Sequence, residues 1–146
     1  MKTSLNFGWK FVPDFKNDYL NKLPKDARSV DIPHNAFDVP YNYFEEKSYQ
    51  AIVTYEKTFD VDKINKNRRY FIRFDGVMVK AHIYFNDVDL GEHISTYLPV
   101  EIEITEHLKK DNRLLVVVDS HEDPDVLLFQ SQQVDKWRCV LLNQHH

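Results

Sequence analysis

Two short runs of alternating apolar and polar residues, at 70–74 and 79–85, constrain the fold of this chain more than any other feature. Alternate residues of each run fall on one face, as they do in a β-strand with one buried side. Asp75-Gly76 separates the two runs, and Asn86-Asp87 ends the second; both pairs suit the positive φ angles of tight turns. The pattern therefore predicts two strands, the second being one arm of a hairpin whose return arm is 88–90.

The rest of the chain also favours strands over helices. Further strands are predicted at 4–11 (an edge strand), 29–32, 49–59, 99–104, 113–118 and 126–129. Ile83 and Val116 belong to apolar strand faces and are predicted to lie in the core. Residues 14–28 are polar and predict a loop, Thr105 can cap one helical turn at 106–109, and no strand pattern follows Gln130. Seven or eight short strands without a long helix predict an all-β fold, a sandwich or jelly roll.

Composition narrows the class of protein. The net charge of −4 and the lack of a basic run give no reason to expect nucleic acid binding. No apolar run reaches the roughly 18 residues of a membrane helix, so no membrane partner is expected. Cys139 is the only cysteine, and the N-terminal residues lack the apolar core of a signal peptide. We therefore expect a cytoplasmic setting, with no disulfide and no cofactor.

A set of short motifs occurs in order along the chain. They are Ile32-Pro33-His34-Asn35, Val39-Pro40-Tyr41-Asn42-Tyr43-Phe44, Tyr49-Gln50, Arg73-Phe74-Asp75-Gly76-Val77-Met78, Tyr84-Phe85-Asn86, Leu90-Gly91-Glu92-His93, Ile104-Thr105 and Val118-Asp119-Ser120. In this combination they resemble the N-terminal sugar-binding domain of glycoside hydrolase family 2, the family of β-galactosidases and β-glucuronidases. The resemblance covers about residues 5–125 and implies a galactose-binding-like jelly-roll β-sandwich.

The resemblance also implies a division of the chain and of the chemistry. Residues 1–125 are predicted to form the sugar-binding domain, and 126–146 an atypical C-terminal tail that either completes or leaves the sandwich. In whole enzymes of the family, this domain precedes an immunoglobulin-like domain and a TIM barrel that carries both catalytic Glu residues. We therefore expect this chain to hold no catalytic residue of its own. The parent activity would be hydrolysis of β-galactosides or β-glucuronides.

Four residues are candidate sugar contacts. By resemblance, Asp135 corresponds to an aspartate that accepts hydrogen bonds from sugar hydroxyls in the barrel's active site. His34, Tyr41 and Tyr43 lie in an aromatic loop that could contact a sugar ring, although such a loop also suits packing within the domain. Metal binding is not expected, because no histidines show the spacing of zinc ligands.

Two alternatives to a domain of a family 2 enzyme stay open at this point. One is a free-standing carbohydrate-binding module with its own sugar site, and the other is a structural scaffold that only packs on other domains. The expected partners are other glycosidase domains and, weakly, carbohydrate. Apolar residues at 37–44 and 126–129 would leave an exposed patch in an isolated chain, which predicts self-association, most simply as a two-fold dimer.

Overall fold

The chain forms a β-sandwich, as predicted. The computed structural model describes residues 2–32, 52–95, 99–119 and 136–145, which contain no α-helix. The described elements are β1 (Lys2–Ser4), β2 (Trp9–Val12), a 3-10 helix (Asn17–Leu20), β3 (Arg28–Val30), β4 (Ile52–Asp60), β5 (Arg68–Phe85), β6 (Val88–Ser95), β7 (Val100–Glu103), β8 (Asp111–Asp119) and β9 (Lys136–His145). All the strand pairs between them are antiparallel.

The long strand β5 joins the two sheets of the sandwich. Its first part, 68–77, pairs with β9 and β7, so the first sheet has the order β1-β9-β5-β7. Its second part, 78–85, pairs with β6 and β8, so the second sheet has the order β3-β2-β4-β8-β5-β6. The predicted break at Asp75-Gly76 is therefore wrong. Both residues continue the ladder with β9, opposite Arg138 and Trp137, because the strand passes from one sheet to the other and does not reverse.

The core lies between the two sheets and is formed by the predicted strand faces. Ile83 and Val116 are fully buried, which confirms both predictions. The same cluster holds Trp9, Phe11, Tyr55, Tyr70, Ile72, Phe74, Ala81, Phe85, Ile102, Ile104, Leu114 and Val118. Residues 114–118 are all buried, in agreement with a strand covered on both faces.

Two strand predictions near the chain ends need correction. Residues 4–11 form parts of two strands, because Gly8 has φ +71° and turns the chain between β1 and β2. β2 is an inner strand between β3 and β4, so its prediction as an edge strand is wrong. The chain after Gln130 does contain a strand, β9, which lies between β1 and β5. Both Leu141 and Leu142 of β9 are buried, and burial of adjacent residues hides the alternation that sequence analysis looks for.

The polar segment 14–28 covers the outer face of the second sheet. Tyr19 and Leu23 from this segment are buried against Val12, Leu115 and Val117. Thr54, also buried, donates from Oγ1 to the carbonyl oxygen of Asp14 at 2.8 Å. The segment is thus an ordered layer over the sheet, held by a second, smaller apolar cluster.

The predicted helical turn after Thr105 is only a hydrogen-bonded turn. The backbone N–H of His107 donates to the carbonyl of Ile104 at 2.9 Å, and no helix follows. The Thr105 hydroxyl instead accepts from the backbone N–H of Tyr70 at 2.9 Å. Thr105 therefore anchors the end of β7 to β5 rather than capping a helix.

Candidate functional site

The four predicted sugar contacts are not part of the described structure. His34, Tyr41, Tyr43 and Asp135 lie outside the described residues, as do the apolar stretches 37–44 and 126–129. Their roles stay predictions. The described clefts lie on the second sheet and the segment that covers it.

The family motifs that are described act mainly in building the fold. Asn86 and Asp87 have φ of 49° and 68° and make the predicted tight turn between β5 and β6. The Asn86 amide donates to the carbonyl of His107 at 2.7 Å and to Oδ1 of the buried Asn112 at 2.9 Å, and its Oδ1 accepts from the backbone N–H of Arg113 at 2.8 Å. Asn112 in turn holds both backbone groups of Lys109. These amides fix the β5–β6 turn against the start of β8.

The β6 motif is likewise explained by local structure. Gly91 has φ +89°, a backbone conformation that residues with a Cβ atom rarely adopt. Its N–H donates to Asp89 Oδ1 at 2.8 Å. His93 Nε2 lies 3.0 Å from the carbonyl oxygen of Leu90 and donates to it. Gly91 and His93 therefore shape the strand edge, and nothing in their contacts points to a ligand.

Arg113 is the centre of the polar structure on the outer face. Its Nε donates to Glu56 Oε2 at 2.7 Å, and its two terminal nitrogens donate to the carbonyls of Tyr19 and Leu20, each at 2.6 Å. The ion pair is largely shielded from water, since the two side chains are 22% and 15% exposed. The sequence does not reveal these bonds, because Arg113 is 57 positions from Glu56 and more than ninety from Tyr19 and Leu20.

Among the described residues, three clefts border Arg113. The largest, about 430 Å³, is lined by Lys10, Lys22, Pro24, Lys25 and Glu56 among others. A second, about 390 Å³, is lined by three aspartates, Asp60, Asp87 and Asp111 among other residues. Between them is a cleft of about 170 Å³, here called the small cleft, with Leu20, Asn21, Tyr84, Asp87, Asp89, Arg113 and Leu115 as its lining.

A histidine–aspartate pair stands beside the small cleft. His82 Nε2 lies 2.5 Å from Asp89 Oδ1. The His82 ring stacks on Tyr84, with 4.5 Å between ring centroids and 15° between planes. The N–H of Gly91 and, next, the hydrogen bond from His82 lower the pKa of Asp89, while burial and then Asp89 raise the pKa of Tyr84. At neutral pH the cleft therefore presents an ionised carboxylate and a protonated phenol.

The described carboxylates on the first sheet are paired with cations. Glu103 accepts two hydrogen bonds from Arg69, at 2.8 and 3.0 Å, and Glu101 lies 3.9 Å from Arg73. The described residues contain no group of three His, Cys, Asp or Glu side chains placed to hold a metal ion. In the same ranges, no helix has the length and apolar character needed to span a membrane.

Asp60 and Asp111 form a pair of like charges with a predictable pH dependence. They are opposite each other in β4 and β8, and the Asp111 carboxyl raises the pKa of Asp60 by hydrogen bonding and by repulsion. A carboxyl group whose pKa is higher in the folded state than in the unfolded state stabilises the fold when the pH is below its unfolded-state pKa. That stabilisation is lost as the pH rises through the folded-state pKa. We expect Asp111→Asn to stabilise the fold at pH about 7 but not below pH about 3.5, as measured by urea unfolding.

Glu106→Gln is the matched control for this charge change. Glu106 is exposed, and the described structure gives its side chain no acidic partner. Its replacement should change the free energy of unfolding at pH about 7 by less than about 0.5 kcal/mol, as expected for an exposed side chain. A gain for Asp111→Asn that persists unchanged at low pH would show that it does not come from the shared proton of the two aspartates.

Comparison with known proteins identifies the family. The family described as "Glycosyl hydrolase 2 galactose-binding domain-like" matches residues 22–146. A β-galactosidase of Thermoanaerobacter pseudethanolicus is 35% identical over 97% of this chain and 21% of its own length. A β-glucuronidase of Bacteroides fragilis is 32% identical over 84% of this chain and 17% of its own length.

A solved structure has the same fold. A calcium-binding mutant of Bacteroides uniformis β-glucuronidase 2 superposes with a TM-score of 0.81, covering 98% of this chain and 18% of that one at 23% identity. The chain thus spans about a fifth of the length of the relatives that it matches. Its β-sandwich and its match over 22–146 agree with the resemblance given by the motifs. The chain belongs to the galactose-binding domain-like family of glycosyl hydrolase 2 proteins.

Proposed function

We propose that this chain serves as the non-catalytic N-terminal domain of a longer glycosidase that hydrolyses β-galactosides. The observation that carries the proposal is the 35% identity to a β-galactosidase over 97% of the chain. The chain covers a fifth of that relative, so the catalytic carboxylates would be supplied by other parts of the enzyme. Those other domains are the main partner of the chain.

The architecture suits a supporting role. β5 crosses from one sheet to the other, so the two sheets share one continuous strand and one apolar core. A core of this kind resists relative movement of its two layers. We therefore infer that the domain holds loops in a fixed position against a neighbouring domain. The predicted sugar contacts, His34, Tyr41, Tyr43 and Asp135, would act at that boundary between domains.

A chimera tests this proposal. The segment of the Thermoanaerobacter pseudethanolicus β-galactosidase that aligns with this chain is replaced by the chain itself, and hydrolysis of nitrophenyl β-galactoside is measured. We expect a folded enzyme that keeps at least about a tenth of the parent kcat/KM. The matched control deletes the same segment and should lose activity. A folded chimera without activity would contradict the proposed role.

The isolated chain should not hydrolyse nitrophenyl β-galactoside or β-glucuronide. A retaining glycosidase needs two carboxyl groups about 5–5.5 Å apart on either side of the scissile bond. Among the described residues, Glu56, Glu101 and Glu103 are each held by an arginine. Turnover that co-purifies with the chain and disappears when one of its own carboxylates is replaced would disprove this expectation.

A β-glucuronide substrate for the parent enzyme is the second candidate. It is favoured by the 32% identity to the Bacteroides fragilis β-glucuronidase over 84% of the chain. The same segment exchange in that enzyme distinguishes the two candidates, because the better-fitting host should retain more of its activity. The proposed role as a glycosidase domain also includes the weak sugar affinity and the two-fold dimer expected from the sequence. It further includes a cytoplasmic setting, in which the single, buried Cys139 would stay reduced.

A further inference from the structure

We propose that the outer face of the second sheet is an interface between two copies of this chain, held by opposite charges. The cleft of about 430 Å³ on this face is lined by three lysines, Lys10, Lys22 and Lys25, and is here called the basic cleft. The cleft of about 390 Å³ is lined by the three aspartates and is here called the acidic cleft. Arg113 borders both clefts. Two concavities of opposite charge therefore lie side by side on one face.

The positive charge of the basic cleft is not neutralised by the described part of the chain. Its three lysines are exposed, and none forms an ion pair with a described carboxylate. Lys10 donates from Nζ to the neutral Ser29 Oγ at 2.8 Å. Glu56 also lines the cleft, but it is already held by Arg113 at 2.7 Å. The cleft thus concentrates positive charge on a chain whose net charge is −4.

The acidic cleft has the opposite imbalance. Asp60, Asp87 and Asp111 are all exposed, and Asp60 and Asp111 are opposite each other at the ends of β4 and β8. Lys109 lines the same cleft. Asp111 raises the pKa of Asp60, by hydrogen bonding and by repulsion, in spite of the nearby Lys110. A cation supplied from outside the chain would relieve this repulsion.

A two-fold axis brings the two kinds of cleft together. An axis that lies in the plane of the interface and passes between the clefts, near Arg113, places the basic cleft of each copy opposite the acidic cleft of the other. The same contact is then made twice. Complementary potentials of this kind favour one orientation of the partners over others. An unrelated acidic partner would neutralise only the lysines, whereas a second copy neutralises both clefts, so a second copy is the occupant that this face fits.

This interface is separate from the apolar patch that the sequence predicts at 37–44 and 126–129, which lies outside the described residues. The inference specifies the surface of the dimer included in the proposed function, but it does not depend on the substrate of the parent enzyme. Because the side chains that carry it are charged and exposed, we expect the association to be weak and to depend on salt.

The test is sedimentation velocity on the 146-residue chain, at about 10 µM to about 1 mM, a range that covers weak dimers. We expect a monomer–dimer equilibrium whose association constant falls at least about tenfold between about 50 and about 500 mM NaCl. A carbodiimide, applied to a mixture of ¹⁴N and ¹⁵N chains, should join lysines of the basic cleft in one copy to aspartates of the acidic cleft in another. Mass spectrometry of the mixed-isotope peptides identifies these links.

Charge reversal in each cleft locates the interface. Lys22→Glu/Lys25→Glu and Asp60→Lys/Asp111→Lys should each weaken self-association at least about tenfold, because like charges then face each other. An equimolar mixture of the two proteins should associate to within about threefold of the natural chain, since one protein now has two acidic clefts and the other has two basic clefts.

Lys2→Glu/Lys66→Glu is the matched control for the lysine reversals. It makes the same change in net charge at two exposed lysines that line neither cleft. At about 150 mM salt, where charges far from an interface are screened, it should change the association constant by less than about threefold.

Each outcome supports or overturns the interface. Salt-dependent dimers, loss of association in both reversed proteins and its recovery on mixing would support it. A chain that stays monomeric throughout, a dimer insensitive to salt, reversals that act no more than the control, or folded reversed proteins that do not associate on mixing would overturn it. Circular dichroism checks each fold; if Asp60→Lys/Asp111→Lys does not fold, Asp111→Asn takes its place and should weaken association about threefold. A monomeric chain would leave the β-galactosidase chimera unaffected, because the chimera tests contacts with other domains.

Discussion

A Phe85→Ala variant is expected to have a free energy of unfolding about 3–5 kcal/mol below that of the natural chain. Phe85 is fully buried between the two sheets and packs on Phe59, with 6.1 Å between ring centroids. Truncation removes the apolar contacts of the ring and leaves a cavity that the neighbouring strands cannot fill. Urea unfolding followed by fluorescence measures the change. Phe85 is also the last residue of β5, and β5 pairs with β6, β7, β8 and β9. Its truncation therefore disturbs a strand that belongs to both sheets.

Phe7→Ala is the matched control, because it makes the same substitution at an exposed position. The Phe7 side chain is 66% exposed and lies between β1 and β2. Its replacement should change the free energy of unfolding by less than about 0.5 kcal/mol. Similar losses for the two variants would mean that Phe85 is not in a close-packed core and that the position of β5 between the sheets is wrong.

The strands with one buried face could be predicted because their sequence alternates. Residues 70–74 and 81–85 place every second side chain in the core, and the structure confirms these faces. What alternation could not predict is how the strands are joined. Asp75-Gly76 has the composition of a turn but continues β5 from one sheet to the other. Local propensity indicates which backbone conformations a dipeptide can adopt. Pairing with neighbouring strands decides whether the chain turns there or continues as a strand.

Two further elements were missed for a different physical reason. β9 buries the adjacent residues Leu141 and Leu142, so it lacks a two-residue period. The segment 14–28 looks polar, yet Tyr19 and Leu23 are buried on the outer face of the second sheet. The apolar side chains of Tyr19 and Leu23 within this polar stretch were the available signal of the covering role, but they show no period, because Leu23 lies beyond the end of the 3-10 helix.

The small cleft could not have been predicted from the sequence. Its walls come from the 3-10 helix, β5, the β5–β6 turn and β8, and only tertiary packing brings Leu20, Tyr84 and Leu115 together. Of its lining residues, only Tyr84 belongs to one of the family motifs, and the neighbouring motif residues Asn86 and Gly91 take part in the fold and do not indicate a ligand. The predicted contacts at His34, Tyr41, Tyr43 and Asp135 rest on family resemblance and stay predictions.

Arg113→Met is expected to lower the free energy of unfolding by about 2–4 kcal/mol. Methionine keeps much of the apolar stem of arginine but loses all three hydrogen bonds of the guanidinium group. Glu56 would keep its negative charge at 15% exposure without a partner, and the carbonyls of Tyr19 and Leu20 would lose their donors. Because those carbonyls belong to the 3-10 helix, the covering segment should loosen first. Hydrogen exchange at residues 17–23 would then be faster than in the natural chain, by more than at the core strands.

Glu56→Gln and the double variant Glu56→Gln/Arg113→Met separate the ion pair from the anchoring of the helix. Glu56→Gln removes the charge but leaves the bonds from Arg113 to Tyr19 and Leu20, so it should cost only about 1 kcal/mol and leave exchange at 17–23 unchanged. The double variant has no unpaired charge and should be more stable than Arg113→Met alone. Its exchange at 17–23 should still be fast, because the two carbonyls remain without their donor. Slow exchange in both proteins that lack Arg113 would mean that the apolar contacts of Tyr19 and Leu23 alone hold the covering segment on the sheet.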